Sequence, residues 1–152
     1  MLILLNIFLI VSINNEEKKL INNVLDNLHY YASVAEGNNY FNLFDEEAIF
    51  FGTDATERWK KKEFQDYALE RFNKGDGWTY KSISRNIYLN SDMNTAWFDE
   101  ELDNKKYGIF RGTGVLAKVN GIWKIKQYNL LLPIPNELLI DYSKEIKEYL
   151  KN

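Results

Sequence analysis

Cysteine is absent from this chain of 152 residues. Without cysteine there can be no disulfide, zinc–thiolate cluster, iron–sulfur site or thiol nucleophile. Histidine occurs once, at His29, which excludes metal sites built from several imidazoles. The 19 basic residues are outnumbered by 22 acidic ones, a formal charge of −3, so the chain offers no positive field for a nucleic-acid backbone. We therefore expect no nucleic-acid partner, and no motif points to a cofactor.

One apolar run opens the chain, residues 2–13 (LILLNIFLIVSI). It has the length of a signal peptide and is too short to cross a bilayer as a helix, but it lacks a basic start and a small-residue cleavage site. Two interpretations stay open: an export signal, which we favour and which would make the protein periplasmic or secreted, or a segment that lies on the fold. We treat residues 1–15 as a separate apolar N-terminal segment and residues 16–152 as one domain. The chain has 45% hydrophobic and 15% aromatic residues, which suits a single full core.

Hydrophobic periodicity predicts helices over residues 16–36, 60–73 and 137–150. A brief strand is predicted at 47–51 and a longer one at 78–89, followed by three strands between Thr95 and Pro135 that two short turns connect. Two helices, a run of antiparallel strands and a final helix indicate an α+β fold. We expect a curved antiparallel sheet with helices across one face.

The register of the last three strands follows from the side-chain period of two. At Asn120-Gly121 a two-residue turn would pair core-type residues with Lys124 and Lys126, so we prefer a three-residue loop that pairs Val115 with Ile125. A six-residue loop, 103–108, then sets Glu100 opposite Arg111. One face is predicted to hold Ala96, Phe98, Glu100, Leu102, Arg111, Thr113, Val115, Ala117, Trp123, Ile125, Gln127 and Asn129. The other is predicted to hold Trp97, Asp99, Glu101, Lys118, Lys124, Lys126 and Tyr128.

The predicted inner face becomes polar towards one end, at Glu100, Arg111, Thr113, Gln127 and Asn129. If helices cover this face, these groups converge at the mouth of an apolar cavity, the common form of a small-molecule site. Glu100 is then a candidate general base, and Arg111 can hold a ligand carboxylate through two parallel hydrogen bonds. The alternative is an ordinary cross-strand ion pair between these two residues at the end of a sheet.

Three other residues are candidates for the same site. His29 lies at the edge of its helix stripe and is a candidate acid or base, although a lone histidine there is more often a packing residue. Trp59 and Trp78 can form a cavity rim that stacks on a flat ligand, or can belong to the ordinary core. Asp54 and Glu57 share one loop without further partners, which is a poor cation site, so we predict no metal.

Five segments resemble the SnoaL-like group of the nuclear transport factor 2 superfamily: FFGTDATERW (50–59), GWTY (77–80), AWFDEELD (96–103), RGTGVL (111–116) and WKIKQYNLLLPIPN (123–136). The resemblance covers roughly residues 18–140. It implies a cone-like α+β barrel, a bent sheet wrapped around helices with a cavity inside. The superfamily includes isomerases, cyclases, dehydratases, binding proteins and association domains, so the fold alone does not settle the function.

Three functions remain open at this point. The favoured one is a domain that binds a small apolar molecule with a carbonyl or carboxylate group near Arg111. The second is an isomerase, cyclase or dehydratase that uses Glu100 as acid and base. The third is a structural dimerisation domain. A homodimer is expected in any case through an outer sheet patch formed by Trp97, Leu116, Tyr128 and Leu130.

Overall fold

The computed structural model describes residues 2–151, with side chains from residue 12 onward. One helix, α1 (Leu2–Ser33), runs through both the apolar start and the predicted first helix. The export signal predicted in residues 2–13 rests mostly on side chains outside the described ones and stays a prediction. No helix in the described part of the chain is long and apolar enough to cross a membrane.

Three further helices follow: α2 (Gly37–Asn42), α3 (Lys61–Phe72) and α4 (Leu139–Tyr149), the last preceded by a 3₁₀ turn at Asn136–Leu138. The strands are β1 (Phe44–Phe51), β2 (Arg58–Lys60), β3 (Lys81–Leu89), β4 (Thr95–Asn104), β5 (Gly108–Val119) and β6 (Ile122–Leu131). They form one six-stranded sheet in the order β2-β1-β6-β5-β4-β3. The predicted α+β class is confirmed, with helices against a curved sheet that does not close. One pairing is not antiparallel: β1 runs parallel to β6.

The inner face of the sheet packs on α1, α2 and α3 through a core rich in aromatic residues. Ile21, Leu25, Leu28 and Ala32 form the buried stripe of α1, at the helical spacing that the sequence shows. Further core residues come from α2, α3 and the strands, among them Tyr40, Phe41, Phe44, Phe64, Phe72, Phe98, Trp123 and Ile125. Glu17 fixes the helix to the sheet, because it accepts hydrogen bonds from Lys118 Nζ (2.6 Å) and Trp123 Nε1 (2.7 Å).

The predicted register is correct for β4 and wrong for β5. Ala96, Phe98, Glu100 and Leu102 are all buried on the inner face, as expected. Asn104, however, pairs with Gly108, so the turn has three residues rather than six. Glu100 therefore lies opposite Gly112, and Arg111 lies opposite Glu101 on the outer face.

The second hairpin shows why the β5 prediction failed. The turn is the two-residue Asn120-Gly121, with φ of 51° and 81°, as the primed hairpin turns require. It pairs Ala117 with Lys124, the pairing that the prediction rejected. A bulge then leaves Lys126 as an extra residue, so that Tyr128 replaces Gln127 on the inner face.

The predicted dimer patch is not one surface. Leu116 and Tyr128 are buried on the inner face, and Leu130 packs against the core. Trp97 is on the outer face, where its side chain is 48% exposed. The inner positions of β5 are Phe110, Gly112, Gly114 and Leu116, all buried.

The C-terminal helix α4 is amphipathic, but none of its residues is buried. Its apolar stripe includes Leu139, Tyr142, Ile146 and Tyr149, each exposed. The sequence predicted a helix over 137–150 with Leu138, Tyr142, Ile146 and Tyr149 along one side; the structure confirms the helix from Leu139 onward and places Leu138 in the preceding 3₁₀ turn.

Candidate ligand-binding site

An open pocket of about 420 Å³ lies between α3 and the end of the sheet. Seven of the sixteen residues that line it are aromatic: Phe50, Trp59, Phe64, Tyr67, Trp78, Tyr80 and Tyr107. Phe50 and Phe64 stack at 3.8 Å between ring centroids, and Trp59 lies nearly parallel to Phe64 at 5.6 Å. Phe50 and Phe64 are themselves buried, so the half-buried rings of Trp59 and Trp78 are better placed to present a π-face to a flat molecule. The volume is within the usual range for small-molecule sites.

Trp59 and Trp78 both line this pocket, where the sequence placed them as a rim. Trp59 is carried by the short strand β2, which pairs with β1 at Phe50. Trp78 follows α3, and its ring centroid is 4.6 Å from that of Phe72 on the helix. Both tryptophans are half-buried and packed against the core, so the core and rim interpretations of these residues are compatible.

A separate hollow of about 20 Å³ adjoins the pocket. Four residues, Phe50, Trp78, Tyr80 and Leu130, line both spaces. The hollow ends against His29 and Tyr128, and a space of this size can hold about one water molecule. The aromatic pocket thus leads towards polar side chains at the centre of the fold.

Glu100 is the central polar group beneath the hollow and is only 2% exposed. Its Oε1 accepts a hydrogen bond from Tyr128 Oη at 2.9 Å and lies 2.9 Å from His29 Nε2. Its Oε2 accepts a hydrogen bond from Arg85 Nε, also at 2.9 Å. A buried carboxylate needs such donors, because its desolvation costs on the order of several kcal/mol. Both oxygens are therefore occupied by protein groups.

Arg85 connects this carboxylate to α1. Its Nη1 donates to Asn22 Oδ1 at 3.0 Å and to Asp26 Oδ1 at 2.8 Å. Its Nη2 lies 2.8 Å from Oε2 of Glu100, close enough for an ion pair but without the alignment of a hydrogen bond. The side chain is 7% exposed, so the charge pair is shielded from water and the helix is tied to the sheet through it.

The environment of Glu100 lowers the pKa of its carboxyl group below the ordinary 4.5. Burial alone would raise it, but the hydrogen bond from His29 and the charges of His29 and Arg85 outweigh burial. Burial, together with the neighbouring Glu100 charge, raises the pKa of the Tyr128 hydroxyl well above 10.0. At neutral pH Glu100 is therefore ionised and Tyr128 is a hydrogen-bond donor. An ionised carboxylate only accepts, so Nε2 of His29 is the donor in this contact.

The structure places four of the predicted site residues on the sheet face opposite to that of the Glu100 side chain. Arg111 and Gln127 are exposed, and Thr113 and Asn129 are half-buried on the outer face. None of these four lines the aromatic pocket or its inner hollow. The predicted row of Glu100, Arg111 and Asn129 is wrong, because it depended on the register that the turns contradict. His29 and Glu100, the two catalytic candidates, are in direct contact.

Sequence reasoning missed Arg85 and Tyr128, although one signal for them was present. Gly112 and Gly114 alternate in a strand interior, where glycine often marks a close approach of another group. A Cβ at Gly112 would stand 2.5 Å from the Tyr128 hydroxyl and 2.9 Å from Glu100 Cγ. Glycine at this position therefore makes room for the contact between Glu100 and Tyr128. Among the described residues, no three potential metal ligands cluster.

Residues 21–135 match the family model of the SnoaL-like domain. Among solved structures, a candidate scytalone dehydratase from Novosphingobium aromaticivorans is similar at 17% identity, with a TM-score of 0.66 over 82% of this chain and 89% of the other. An NTF2-like protein of unknown function from Pseudomonas putida is similar at 11% identity, with a TM-score of 0.67 over 82% and 91%. A candidate dehydratase of the NTF2-like family from Streptomyces avermitilis is 6% identical, with a TM-score of 0.68 over 80% and 99%. A search of curated proteins finds no match. At these identities the neighbours establish the fold.

Proposed function

Because the chain belongs to the SnoaL-like family of the NTF2-like superfamily, we propose that it binds a planar, largely apolar small molecule in the aromatic pocket. The observation that carries this proposal is the pocket that Trp59 and Trp78 help to line, together with the adjoining hollow against His29. A flat molecule can stack between the rings at the mouth and bring one edge towards the polar centre. Glu100 supports binding indirectly, since it holds His29 and Tyr128 in place.

The binding proposal is tested by titrating the protein with 2-naphthol and following tryptophan fluorescence. We expect quenching that saturates, with affinity about tenfold weaker in Trp59→Leu because a stacked aromatic contact is lost. Trp97→Leu is the matched control, since Trp97 is an exposed tryptophan outside the pocket. Equal affinities in the wild type and Trp59→Leu would contradict the proposal.

A second candidate function is proton transfer on the bound molecule by His29. The supporting observation is the 2.9 Å contact that orients His29 against Glu100, an arrangement that fixes the tautomer of a histidine acid or base. Glu100 itself has both oxygens occupied, so His29 fits the acid–base role better than the glutamate does. Two structural neighbours carry the name of candidate dehydratases, which agrees with this chemistry by fold analogy only.

Proton transfer can be measured with 2-tetralone, a bicyclic ketone with acidic protons beside its carbonyl. We expect the protein to accelerate their exchange with deuterated water in NMR spectra, and His29→Asn to abolish the acceleration while 2-naphthol still binds. Equal acceleration by wild type and His29→Asn would remove this candidate function.

We also propose that the outer sheet face forms a homodimer contact centred on Trp97. Trp97 and Tyr88 stack there at 5.9 Å between centroids, and both are exposed. An exposed aromatic pair on a sheet face is a common interface feature. Analytical ultracentrifugation should show dimers that dissociate in Trp97→Asp. A monomeric wild type would refute the proposal.

A further inference from the structure

The mouth of the aromatic pocket carries two cationic side chains. Arg71 comes from the last turn of α3, and Lys106 comes from the three-residue turn between β4 and β5. The guanidinium carbon of Arg71 is 5.9 Å from the ring centroid of Trp78, and Nζ of Lys106 is 4.7 Å from that of Tyr107. Each charge therefore lies beside an aromatic wall of the pocket.

Neither cation has an acidic partner among the ion pairs of the described residues. Other cations of the chain are paired: Lys61 with Glu46, Lys118 with Glu17, and Lys126 with Asp45 are examples. One carboxylate, Glu57, also lines the pocket, and it accepts a hydrogen bond from the backbone N–H of Asp54. Two positive charges against one negative charge give the mouth a field that attracts anions.

The inner end of the pocket, in contrast to the mouth, disfavours an anion. Glu100 is ionised below the hollow and its oxygens face His29, Tyr128 and Arg85. A second buried anion would have to lose its water next to this carboxylate, which is costly. A ligand that carries a negative charge is therefore oriented with the charge at the mouth and its neutral ring inward.

We propose that the ligand is a planar aromatic carboxylate, held by its ring between the aromatic walls and by its carboxylate at Arg71 and Lys106. This inference rests on the proposed binding function and adds the chemical class and orientation of the ligand. The guanidinium of Arg71 can meet both oxygens of a carboxylate, and Lys106 supplies a second point charge. The carboxylate receptor is thus Arg71, on a helix, and not Arg111, on the outer sheet face.

The test compares 2-naphthoate with 2-naphthamide, a neutral molecule of nearly the same shape, by isothermal titration at low and high salt. We expect wild-type protein to bind the acid about tenfold more tightly than the amide, because hydrogen bonds to charged groups are the stronger ones. The preference should shrink at high salt, since exposed charges are screened. Arg71→Gln and Lys106→Gln should each weaken binding of the acid several-fold and leave binding of the amide unchanged.

Two other cations serve as matched controls. Arg58 also lies over an aromatic ring, 5.7 Å from the centroid of Phe51, but does not line the pocket, and Lys105 is the sequence neighbour of Lys106. Arg58→Gln and Lys105→Gln should bind both ligands like wild type. An equal loss in these controls would show general charge attraction and overturn the proposed receptor.

The remaining outcomes separate this inference from the function on which it rests. If the acid and the amide bind equally well, and the Gln substitutions change neither, the pocket binds planar molecules without recognising a carboxylate and the inference fails alone. If 2-naphthoate, 2-naphthamide and 2-naphthol all fail to bind to the wild type and to every variant, both the binding function and the carboxylate receptor are refuted.

Discussion

Replacing Glu100 by glutamine should strongly destabilise the protein. Glu100→Gln keeps the size of the side chain but removes the negative charge that faces Arg85, a guanidinium only 7% exposed. Breaking a buried ion pair by removing one partner costs about 3–5 kcal/mol, because the other charge stays buried without compensation. Asp26 still contacts Arg85 Nη1 at 2.8 Å, but it is an exposed carboxylate and its charge is screened. We therefore expect a loss of about 3 kcal/mol in the free energy of unfolding.

A double-mutant cycle isolates the contact between the two charges. Arg85→Met leaves Glu100 buried with its hydrogen bonds from His29 and Tyr128 but without its cation. The double variant has neither charge, so its loss should be smaller than the sum of the two single losses. Coupling energies between residues in contact are about 0.5–3 kcal/mol, and we expect a value in the upper half of that range.

Urea unfolding followed by circular dichroism gives the free energy from the midpoint and the slope of the transition. Glu101→Gln is the matched control, since Glu101 is the adjacent glutamate and is exposed on the outer face. Its effect should lie within about 0.5 kcal/mol of zero. A Glu100→Gln variant as stable as this control, or a cycle with no coupling, would refute the argument that the buried pair stabilises the fold.

Three other predictions concern pH, register and the C-terminal segment. The pKa of Glu100 in the folded protein is lowered below 4.5, so the ionised carboxylate stabilises the fold above pH 4.5, and this contribution is lost as the pH falls through the folded pKa. The stability of Glu100→Gln should therefore fall less steeply with acid than that of the wild type. Leu116→Asp should prevent folding because Leu116 is fully buried, whereas Val115→Asp, its half-buried neighbour on the other face, should fold; circular dichroism spectra that show the opposite order would contradict the observed register. Ending the chain after Leu131 removes the 3₁₀ turn and α4, which bury no residue, so urea unfolding should differ from wild type by less than about 0.5 kcal/mol; a larger loss would show that α4 packs on the domain.

Local patterns predicted most elements of this fold, but not the short α2 and β2. The stripe of α1 from Ile21 to Ala32, the Gly-terminated α3 and the amphipathic α4 all carry helical spacing that the structure confirms. The alternation of β4 from Ala96 to Leu102 was also sufficient, since buried positions alternate there with exposed or half-buried ones. In these segments the spacing of apolar residues along the chain matches the face that the structure buries.

The register of β5 could not be predicted from the same pattern. Its outer face carries Val115 and Ala117, which look like core residues, while its inner face carries Gly112 and Gly114. Hydrophobic alternation therefore favoured the wrong face. The Asn120-Gly121 turn was the correct local signal, and the bulge at Lys126 resolves the conflict that led to its rejection. A bulge is set by packing across several strands, so a period of two gives no warning of it.

The same limit explains why the prediction put Glu100 on the inner face but paired it with the wrong cation. A carboxylate on the inner face of β4 requires a counter-charge, and only a neighbouring strand or a covering helix can supply it. Arg85 is opposite Glu100 on β3, beyond an irregular pairing near Ile83 that hides the alternation of that strand. Gly112 occupies the place opposite Glu100 on β5, and the space it leaves is filled by Tyr128 from the next strand. Arg85, Glu100 and Tyr128 come into contact only because of two bulges and one glycine, which are spread over four strands, and a pattern within one strand does not predict these.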